Sequence, residues 1–181
     1  MKALVVYESM FGNTELVARA IGAGLGADAV VKVARAPTFV PDDVDVLVVG
    51  GPTHTRGMSR PTTRAQAVDR GATDGGAADG VREWLGQLNV SRAIIGAAFD
   101  TRVAGPKLLT GSAAAGVQKL LASAGVRVVG TQSFLVAAAE QSGGRGVSDD
   151  ELERARRFGE NLGTTARALV TEPARPATVL P

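Results

Sequence analysis

A short polar segment near the start of the chain contains the residues best suited to hold an anion. Ser9, Asn13 and Thr14 lie between an apolar run at 3–7 and an amphipathic stretch at 13–25. A strand, a glycine-containing turn and a helix in this order leave free backbone N–H groups at the helix N-terminus, where the helix dipole favours negative charge. The two hydroxyls and the amide can complete this cradle. Because the turn contains no Lys or Arg, the sequence predicts a phosphate site neutralised by backbone amides and the helix dipole.

Apolar, β-rich runs alternate with helical patterns along the chain. Such alternation is typical of a parallel sheet with helices on both faces. The last helix is expected to begin at a capping box, in which Ser148 and Glu151 each bond the other's backbone. The predicted strands are 3–7, 29–33, 44–50, 93–99 and 126–136. The predicted helices are 13–25, 62–70, 79–89, 112–125 and 148–169.

Length and composition fit one globular domain. The chain has 181 residues, of which 45% are hydrophobic and 21% are charged, and this is enough to bury a sizeable core in a single unit. We assign residues 1–170 to this domain. Residues 171–181 contain three prolines and no periodic pattern, so we expect a disordered tail there.

The composition also excludes several kinds of chemistry. The chain has no cysteine, which rules out thiol catalysis and thiolate metal sites, and His54 is its single histidine, so we predict no metal site. A net charge of +2 gives no reason to expect nucleic-acid binding. The sequence shows neither a leader nor an apolar run of membrane-spanning length, so we expect a cytoplasmic protein with no membrane partner.

Two further strand ends carry loops with ligand-binding chemistry. One loop covers 50–61 after the third predicted strand, and the other covers 99–106 after the fourth. Ligands of open parallel sheets bind beyond the carboxyl ends of the strands, where the strand order reverses. We therefore expect both loops to join the segment 9–14 in a single ligand site.

The segment Tyr7–Glu15 resembles the phosphate loop of flavodoxins, and the runs 134–136 and 151–155 extend the similarity to short bacterial flavodoxins over about residues 1–170. The resemblance implies a flavodoxin-like fold, which is a doubly wound α/β/α protein with a five-stranded parallel sheet in the order 2-1-3-4-5. It also implies FMN as the cofactor, with its phosphate at 9–14 and its ring between the other two loops. The implied FMN-binding residues are Ser9, Met10, Phe11, Gly12, Asn13, Thr14, Pro52, Thr53, His54, Thr55, Arg56, Gly57, Met58, Phe99, Asp100, Thr101 and Arg102.

The resemblance further suggests roles within the two loops at the ring. The peptide of Gly57 is the candidate that flips to bond the ring nitrogen protonated on reduction, because glycine tolerates both orientations. Met58 or His54 would lie against the ring, and Asp100 would accept a hydrogen bond from the ring N3–H. Phe99 either stacks on the ring or ends its strand inside the core.

The chain departs from typical flavodoxins in its aromatic residues and its charge. Its one Tyr, Tyr7, lies in the first strand, and its one Trp, Trp84, lies on a helix where packing is the expected role. Neither can stack on the ring, so we expect weaker flavin binding. Typical flavodoxins are acidic, whereas this chain places basic residues in or beside the ring loops. Their positive charge predicts a less negative reduction potential and an acidic redox partner. These basic residues are Arg56, Arg60, Arg64, Arg102 and Lys107.

An FMN-dependent electron carrier, with a reductase or an acceptor protein as its redox partner, is the preferred function. A flavoenzyme of the NAD(P)H:quinone reductase type and a flavin-free interaction module on the same fold remain alternatives. A response-regulator receiver is excluded because no Asp ends the third predicted strand. A Rossmann NAD site is excluded because the glycine-rich run 22–26 closes a helix instead of following a strand.

Overall fold

A parallel sheet forms the centre of the protein. A computed structural model describes residues 1–72, 80–105, 111–137 and 146–171. Its strands are β1 (Ala3–Tyr7), β2 (Ala29–Lys32), β3 (Val46–His54), β4 (Gly57–Met58), β5 (Ile95–Val103) and β6 (Arg127–Val136). The parallel strands follow the order β2-β1-β3-β5-β6, and the short β4 pairs antiparallel with β3. Apart from β4 this is the predicted order, and the flavodoxin-like fold class is confirmed.

Helices cover both faces of the sheet. They are α1 (Asn13–Leu25), α2 (Pro61–Asp69), α3 (Val81–Gly86), α4 (Ala113–Ser123) and α5 (Asp149–Thr171), and a short 3-10 helix spans Val33–Arg35. Side chains of α1 and α5 form one buried core with the first face of the sheet. Side chains of α3 and α4 form a second core with the opposite face. The strands are apolar on both sides because both faces of the sheet are buried.

Glycines allow α1 and α5 to pack closely. A Cβ atom on Gly24 would overlap the backbone of Arg156, and one on Gly159 would overlap the backbone of Ile21. Gly26 ends α1 with a φ of 70°, the left-handed conformation in which glycine is the favoured C-cap. This glycine-rich run is therefore a helix end, as the sequence predicted.

Two strands continue beyond their predicted ends. The sequence places the end of β3 at Gly50 and reads the following residues as a loop, but the strand continues to His54, paired with β5, which is extended as well. The Gly50 carbonyl accepts a hydrogen bond from Glu8 N (3.0 Å) on the β1 side. Because backbone groups alternate along a strand, Pro52 also faces the β1 side. β1 ends at Tyr7, so no strand lies on that side of Pro52. The missing N–H of proline therefore leaves no hydrogen bond of the sheet unmade.

The start of α5 contains only half of the predicted capping box. Ser148 Oγ accepts a hydrogen bond from Glu151 N (3.2 Å), as predicted. The Glu151 carboxylate instead accepts a hydrogen bond from Leu135 N (2.8 Å) in β6. The helix start is thereby joined to the sheet, and a local motif gives no sign of a strand that only the tertiary structure brings close.

Two sequence predictions concern parts of the chain at or beyond the limits of the described ranges. The predicted disordered tail lies outside them except for Thr171, the last residue of α5, and Lys107 lies outside them as well. Among the helices that are described, none has both the length and the apolar character needed to cross a membrane.

Candidate functional site

The carboxyl ends of β1, β3 and β5 meet at a cavity of about 170 Å³, which we call the first cavity. The three strand ends that the sequence singled out therefore share one space. The predicted site residues that line it are Met10, Phe11, Asn13, Thr14, Pro52, Thr53, His54, Thr101 and Arg102. The sequence reasoning missed Val103, Val136 and Ala137, which complete the wall. The strand order could have indicated Val136 and Ala137, because β6 neighbours β5 and its carboxyl end therefore lies beside the cavity.

A glycine and a serine shape the turn between β1 and α1. Gly12 is the N-cap of α1 and has a φ of 83°, a left-handed conformation that glycine adopts without strain. Ser9 Oγ accepts a hydrogen bond from Glu15 N (3.3 Å) in the first turn of α1. Ser9 is buried. Ser9 and Gly12 therefore shape the loop, while their neighbours line the first cavity.

The polar side chains of this loop already have protein partners. Thr14 Oγ1 lies 2.7 Å from Thr101 Oγ1, and Asn13 Oδ1 accepts a hydrogen bond from Gly146 N (2.8 Å). One of the two threonine hydrogens lies in the bond between them, so the other can be donated to an anion. The amide nitrogen of Asn13 likewise keeps its donors. The loop is pre-ordered and retains hydrogen-bond donors for a ligand.

Arg102 brings a positive charge to the same cavity. It lines the first cavity together with Asn13 and Thr14, and its Nη1 donates to the carbonyl oxygen of Gly105 (3.0 Å). The sequence segment 9–14 alone suggested an anion held only by amides and the helix dipole. The tertiary structure places a guanidinium from β5 in the lining of the same cavity as Asn13 and Thr14.

The aromatic wall of the first cavity is Phe11. This side chain is 37% exposed and lines the cavity. Phe99, by contrast, is 0% exposed and packs edge-to-face on Phe134 with ring centroids 6.5 Å apart. The prediction that left Phe99 between ring and core is resolved in favour of the core, so Phe99 does not stack on a ligand in this structure.

Asp100 is a buried helix cap. Its side chain is 0% exposed, and its Oδ2 accepts hydrogen bonds from Ser112 Oγ (2.6 Å), Ala114 N (2.9 Å) and Thr53 Oγ1 (3.1 Å). Thr53 Oγ1 in turn accepts from Ala113 N (2.9 Å). A carboxylate at a helix N-terminus is favourable. The proposed contact of Asp100 with the ring N3–H is therefore corrected to a role in anchoring α4 to β3 and β5.

The hairpin between β3 and β4 has a tight turn of unusual conformation. His54 pairs with Gly57 across it, and the two turn residues, Thr55 and Arg56, have positive φ values of 45° and 71°. This is the two-residue connection that matches the twist of a hairpin, although glycine and asparagine are its usual residues. The backbone of Arg56 packs against Gly111, where a Cβ atom would overlap it.

Met58 does not lie in the first cavity. It is buried, and it packs beside Gly116 of α4. It lines a second cavity of about 250 Å³, together with Thr55, Arg56 and Gly57, and His54 lines both cavities. The structure therefore divides the predicted ring loop between two cavities, since residues 55–58 line only the second. The predicted contact of Met58 with the ring is corrected to a core position.

The single histidine lies between the two cavities and is less basic than usual. Burial lowers the pKa of His54 below its ordinary value of 6.5, and the charges of Arg64 and Arg70 lower it further, whereas Glu8 opposes them. The structure therefore favours the neutral imidazole over its protonated form. Within the described residues no group of three or more His, Cys, Asp or Glu side chains is placed to hold a metal ion.

A buried charged cluster stabilises the wall behind the hairpin. Glu8 Oε2 accepts a hydrogen bond from Val81 N (2.8 Å), and Arg64 Nη1 donates to Ser59 Oγ (3.0 Å) and to Glu83 Oε2 (3.1 Å). Arg64 is 4% exposed, so its expected role as a free cation beside the ring is corrected to a structural ion pair. The sequence reasoning missed this cluster. The one sign of the cluster in the sequence is Glu8, a charged residue placed directly after an apolar strand.

Trp84 has the packing role that was predicted for it. Its side chain is buried, and its Nε1 donates to the carbonyl oxygen of Pro37 (3.2 Å). A buried indole normally finds such a hydrogen-bond acceptor. Trp84 therefore belongs to the core on the α3 and α4 face.

The strand order, the helices on both faces and the glycine-containing loop at the end of β1 define a flavodoxin-like α/β protein. No protein-family model matches the sequence, and no curated protein matches it. Similarity is found among solved structures, several of which are flavodoxins.

Three flavodoxin structures show the extent of the similarity. A flavodoxin from the domain Archaea has 20% sequence identity and a TM-score of 0.59, with 92% of this chain and 99% of that chain covered. Flavodoxin 1 from Bacillus cereus has 19% identity and a TM-score of 0.61, with 91% and 98% covered. The flavodoxin of Streptococcus pneumoniae TIGR4 has 18% identity and a TM-score of 0.60, with 91% and 99% covered. Identities at this level show a shared fold.

Proposed function

We propose that this protein binds FMN and acts as an electron carrier. The observation that carries the proposal is the meeting of the segment 9–14 with the ends of β3 and β5 in the first cavity. One part of this cavity offers donors for an anion, from the N-terminus of α1, Asn13, Thr14 and Arg102. The other part is apolar. Its walls are Met10, Phe11, Pro52, Val103 and Val136.

This division suits a molecule with a phosphate at one end and a flat ring at the other. The phosphate would lie at the N-terminus of α1, where backbone N–H groups and the helix dipole favour negative charge. Phe11 would contact the ring, because it is the aromatic side chain of the cavity and is partly exposed. Bound FMN supplies reversible redox chemistry, while the side chains bind it, orient it and limit its contact with water.

Positive charge near the cavity favours a reduced, more negative flavin. Arg102 lines the first cavity, and a nearby cation stabilises an anion more strongly than a neutral ring. We therefore expect a less negative reduction potential than that of an acidic flavodoxin. The same positive charge at the first cavity would favour a reductase or acceptor protein with an acidic surface.

A comparison of FMN with riboflavin tests the proposal. The fluorescence of FMN should be quenched stoichiometrically as the protein is added. FMN should also bind at least about 100-fold more tightly than riboflavin, because only FMN carries the phosphate. Arg102→Gln should weaken FMN binding by about tenfold or more. Arg127→Gln removes an exposed arginine at the start of β6, the end of the strand opposite to the first cavity, and should leave FMN affinity unchanged. Equal affinity for the two flavins would contradict the assignment of the phosphate loop.

A flavoenzyme of the NAD(P)H:quinone reductase type is the second candidate. The second cavity favours it, since an enzyme needs space for a second substrate beside the flavin and His54 lines both cavities. Consumption of NAD(P)H with a quinone acceptor and no added reductase separates the two functions. Rapid turnover identifies an enzyme, whereas FMN binding without turnover identifies a carrier. Absence of FMN binding leaves the flavin-free interaction module.

A further inference from the structure

The second cavity is lined mainly by basic and hydroxyl side chains, and we call it the basic cavity. Its walls come from the tip of the β3–β4 hairpin, the first turn of α2 and the first turn of α3. Its volume is about 250 Å³, and the described residues that line it include no Asp or Glu. The side chains that carry the argument are Arg56, Arg60, Thr62, Thr63 and Arg82.

The arginines of the basic cavity have no acidic partner in the described part of the chain. No carboxylate oxygen there lies within 4.0 Å of a side-chain nitrogen of Arg56, Arg60 or Arg82. Arg64 follows one turn later in α2, and there the side chain is buried and paired with Glu83. Arg64, which is buried, is therefore paired with a carboxylate, whereas the arginines around the cavity have no carboxylate partner among the described residues.

Neutral carbonyl groups hold Arg82 in place. Its Nε donates to the carbonyl oxygen of Ser59 (3.3 Å), and its Nη2 donates to that of Met58 (3.4 Å). Such bonds orient a guanidinium without cancelling its charge. Three guanidinium groups around one cavity also repel one another. A bound anion would remove this repulsion, which gives a physical reason for the arrangement.

We propose that the basic cavity binds the phosphate group of a small molecule, at a site separate from the phosphate loop at 9–14. Guanidinium groups present paired N–H donors that match phosphate oxygens. Thr63 Oγ1 accepts from Arg60 N (2.9 Å) and donates to Arg60 O (3.0 Å), which fixes the start of α2. Thr62 can then donate its hydroxyl hydrogen to the ligand, beside helix N–H groups that have no partner within the helix.

A small phosphorylated molecule fits this site better than an acidic protein does. The basic groups converge on a cavity of limited volume, whereas a protein partner would need them spread over a wider surface. A ligand bound here would lie beside His54 and hence beside the first cavity. Because the basic cavity has its own walls, phosphate binding does not depend on the presence of FMN.

Pyrophosphate is the probe for this site. It is titrated at constant ionic strength into ¹⁵N-labelled protein, with and without saturating FMN. We expect saturable shifts of the amide signals of Gly57, Thr62 and Thr63 in both titrations. Any shifts of Asn13 and Thr14 should disappear when FMN is present, because FMN occupies the first cavity.

Paired variants test the role of the arginines. Arg60→Gln combined with Arg82→Gln should weaken pyrophosphate binding by about tenfold or more. The control combines Arg35→Gln with Arg127→Gln, which removes the same charge from exposed residues outside the basic cavity. The control should bind pyrophosphate within about twofold of the unmodified protein. Circular dichroism and thermal unfolding check that each variant is folded.

The outcomes separate this proposal from the proposed function. Pyrophosphate shifts confined to Asn13 and Thr14, no saturable binding, or equal affinity of the two double variants would overturn the basic-cavity site. Failure to bind FMN with the pyrophosphate shifts at the basic cavity intact would overturn only the proposed flavin function. If the Arg82 variant fails to fold, Arg60→Gln alone serves the same test, because Arg60 is exposed.

Discussion

The hydroxyl oxygens of Thr14 and Thr101 lie 2.7 Å apart and join the first turn of α1 to β5. Both side chains are buried, and both line the first cavity. The two residues are separated by 87 positions in the sequence. This bond therefore fixes the loop between β1 and α1 relative to the strand that carries Arg102.

A double-mutant cycle measures this bond. Thr14→Val and Thr101→Val should each lower the free energy of unfolding by about 1–3 kcal/mol, because each leaves a buried hydroxyl without its partner. The double variant should lose less than the sum of the two, since no hydroxyl is then left unpaired. Urea denaturation gives the three values. Strict additivity would show that the two hydroxyls do not interact.

The cap formed by Asp100 gives a second prediction. Asp100→Asn should lower the free energy of unfolding by about 1.5–3 kcal/mol, because it removes the charge from the bonds to Ser112 and to the start of α4. Asp69→Asn, a change of an exposed aspartate at the end of α2, is the matched control and should change it by no more than about 0.5 kcal/mol. An equal effect of the two changes would refute a capping role for Asp100.

The hairpin turn gives a stabilising prediction. Thr55 is β-branched and has a φ of 45°, a conformation that asparagine adopts at lower cost. Thr55→Asn should therefore raise the free energy of unfolding by about 1 kcal/mol. Thr38→Asn is the control, since Thr38 is exposed and has no positive φ. Thermal unfolding compares them, and a lower midpoint for Thr55→Asn would contradict the strain argument.

The contact between Gly50 and Phe99 gives a fourth prediction. A Cβ atom on Gly50 would overlap the Phe99 ring, so Gly50→Ala should lower the free energy of unfolding by about 1–3 kcal/mol. The same change should cost less in a Phe99→Leu background, where the ring is absent. Gly57→Ala, which meets no atom within 4 Å, is the control. A Gly50→Ala cost unchanged by Phe99→Leu would rule out the steric explanation.

The titration of His54 gives a pH-dependent prediction. Its pKa is lowered from the ordinary value of 6.5 mainly by burial, so the unfolded chain takes up the proton at higher pH than the folded protein. The contribution to stability is complete above pH 6.5 and is lost as the pH falls from there through the folded pKa. Because the chain has a single histidine, its imidazole proton signal reports the pKa directly by NMR. Denaturation midpoints of His54→Gln should fall less over this pH window, and a folded pKa at or above 6.5 would contradict the prediction.

The sequence was most informative where a structural signal is local. The bounds of β1 and α1 agree with prediction, because an apolar run and a helical period each lie within one continuous segment. The sequence places the ends of β3 and β5 too early, at Gly50 and Phe99. The glycine–proline pair at 51–52 is typical of a turn, and only the tertiary structure shows that β1 has already ended beside it. Helix starts were predicted well, whereas the second bond of the Glu151 capping box was replaced by a contact with β6.

The sequence by itself determined the doubly wound sheet, its strand order through the family resemblance, and the strand–loop–helix arrangement around 9–14. Only the tertiary structure decided which side chains line the cavities. It placed Phe11 rather than Phe99 in the first cavity, buried Arg64 in an ion pair and placed Arg102 in the same cavity lining as Asn13 and Thr14. The physical reason is that periodicity and turn chemistry act over a few neighbouring residues. Exposure and charge pairing at a strand end depend instead on register and on packing between distant segments.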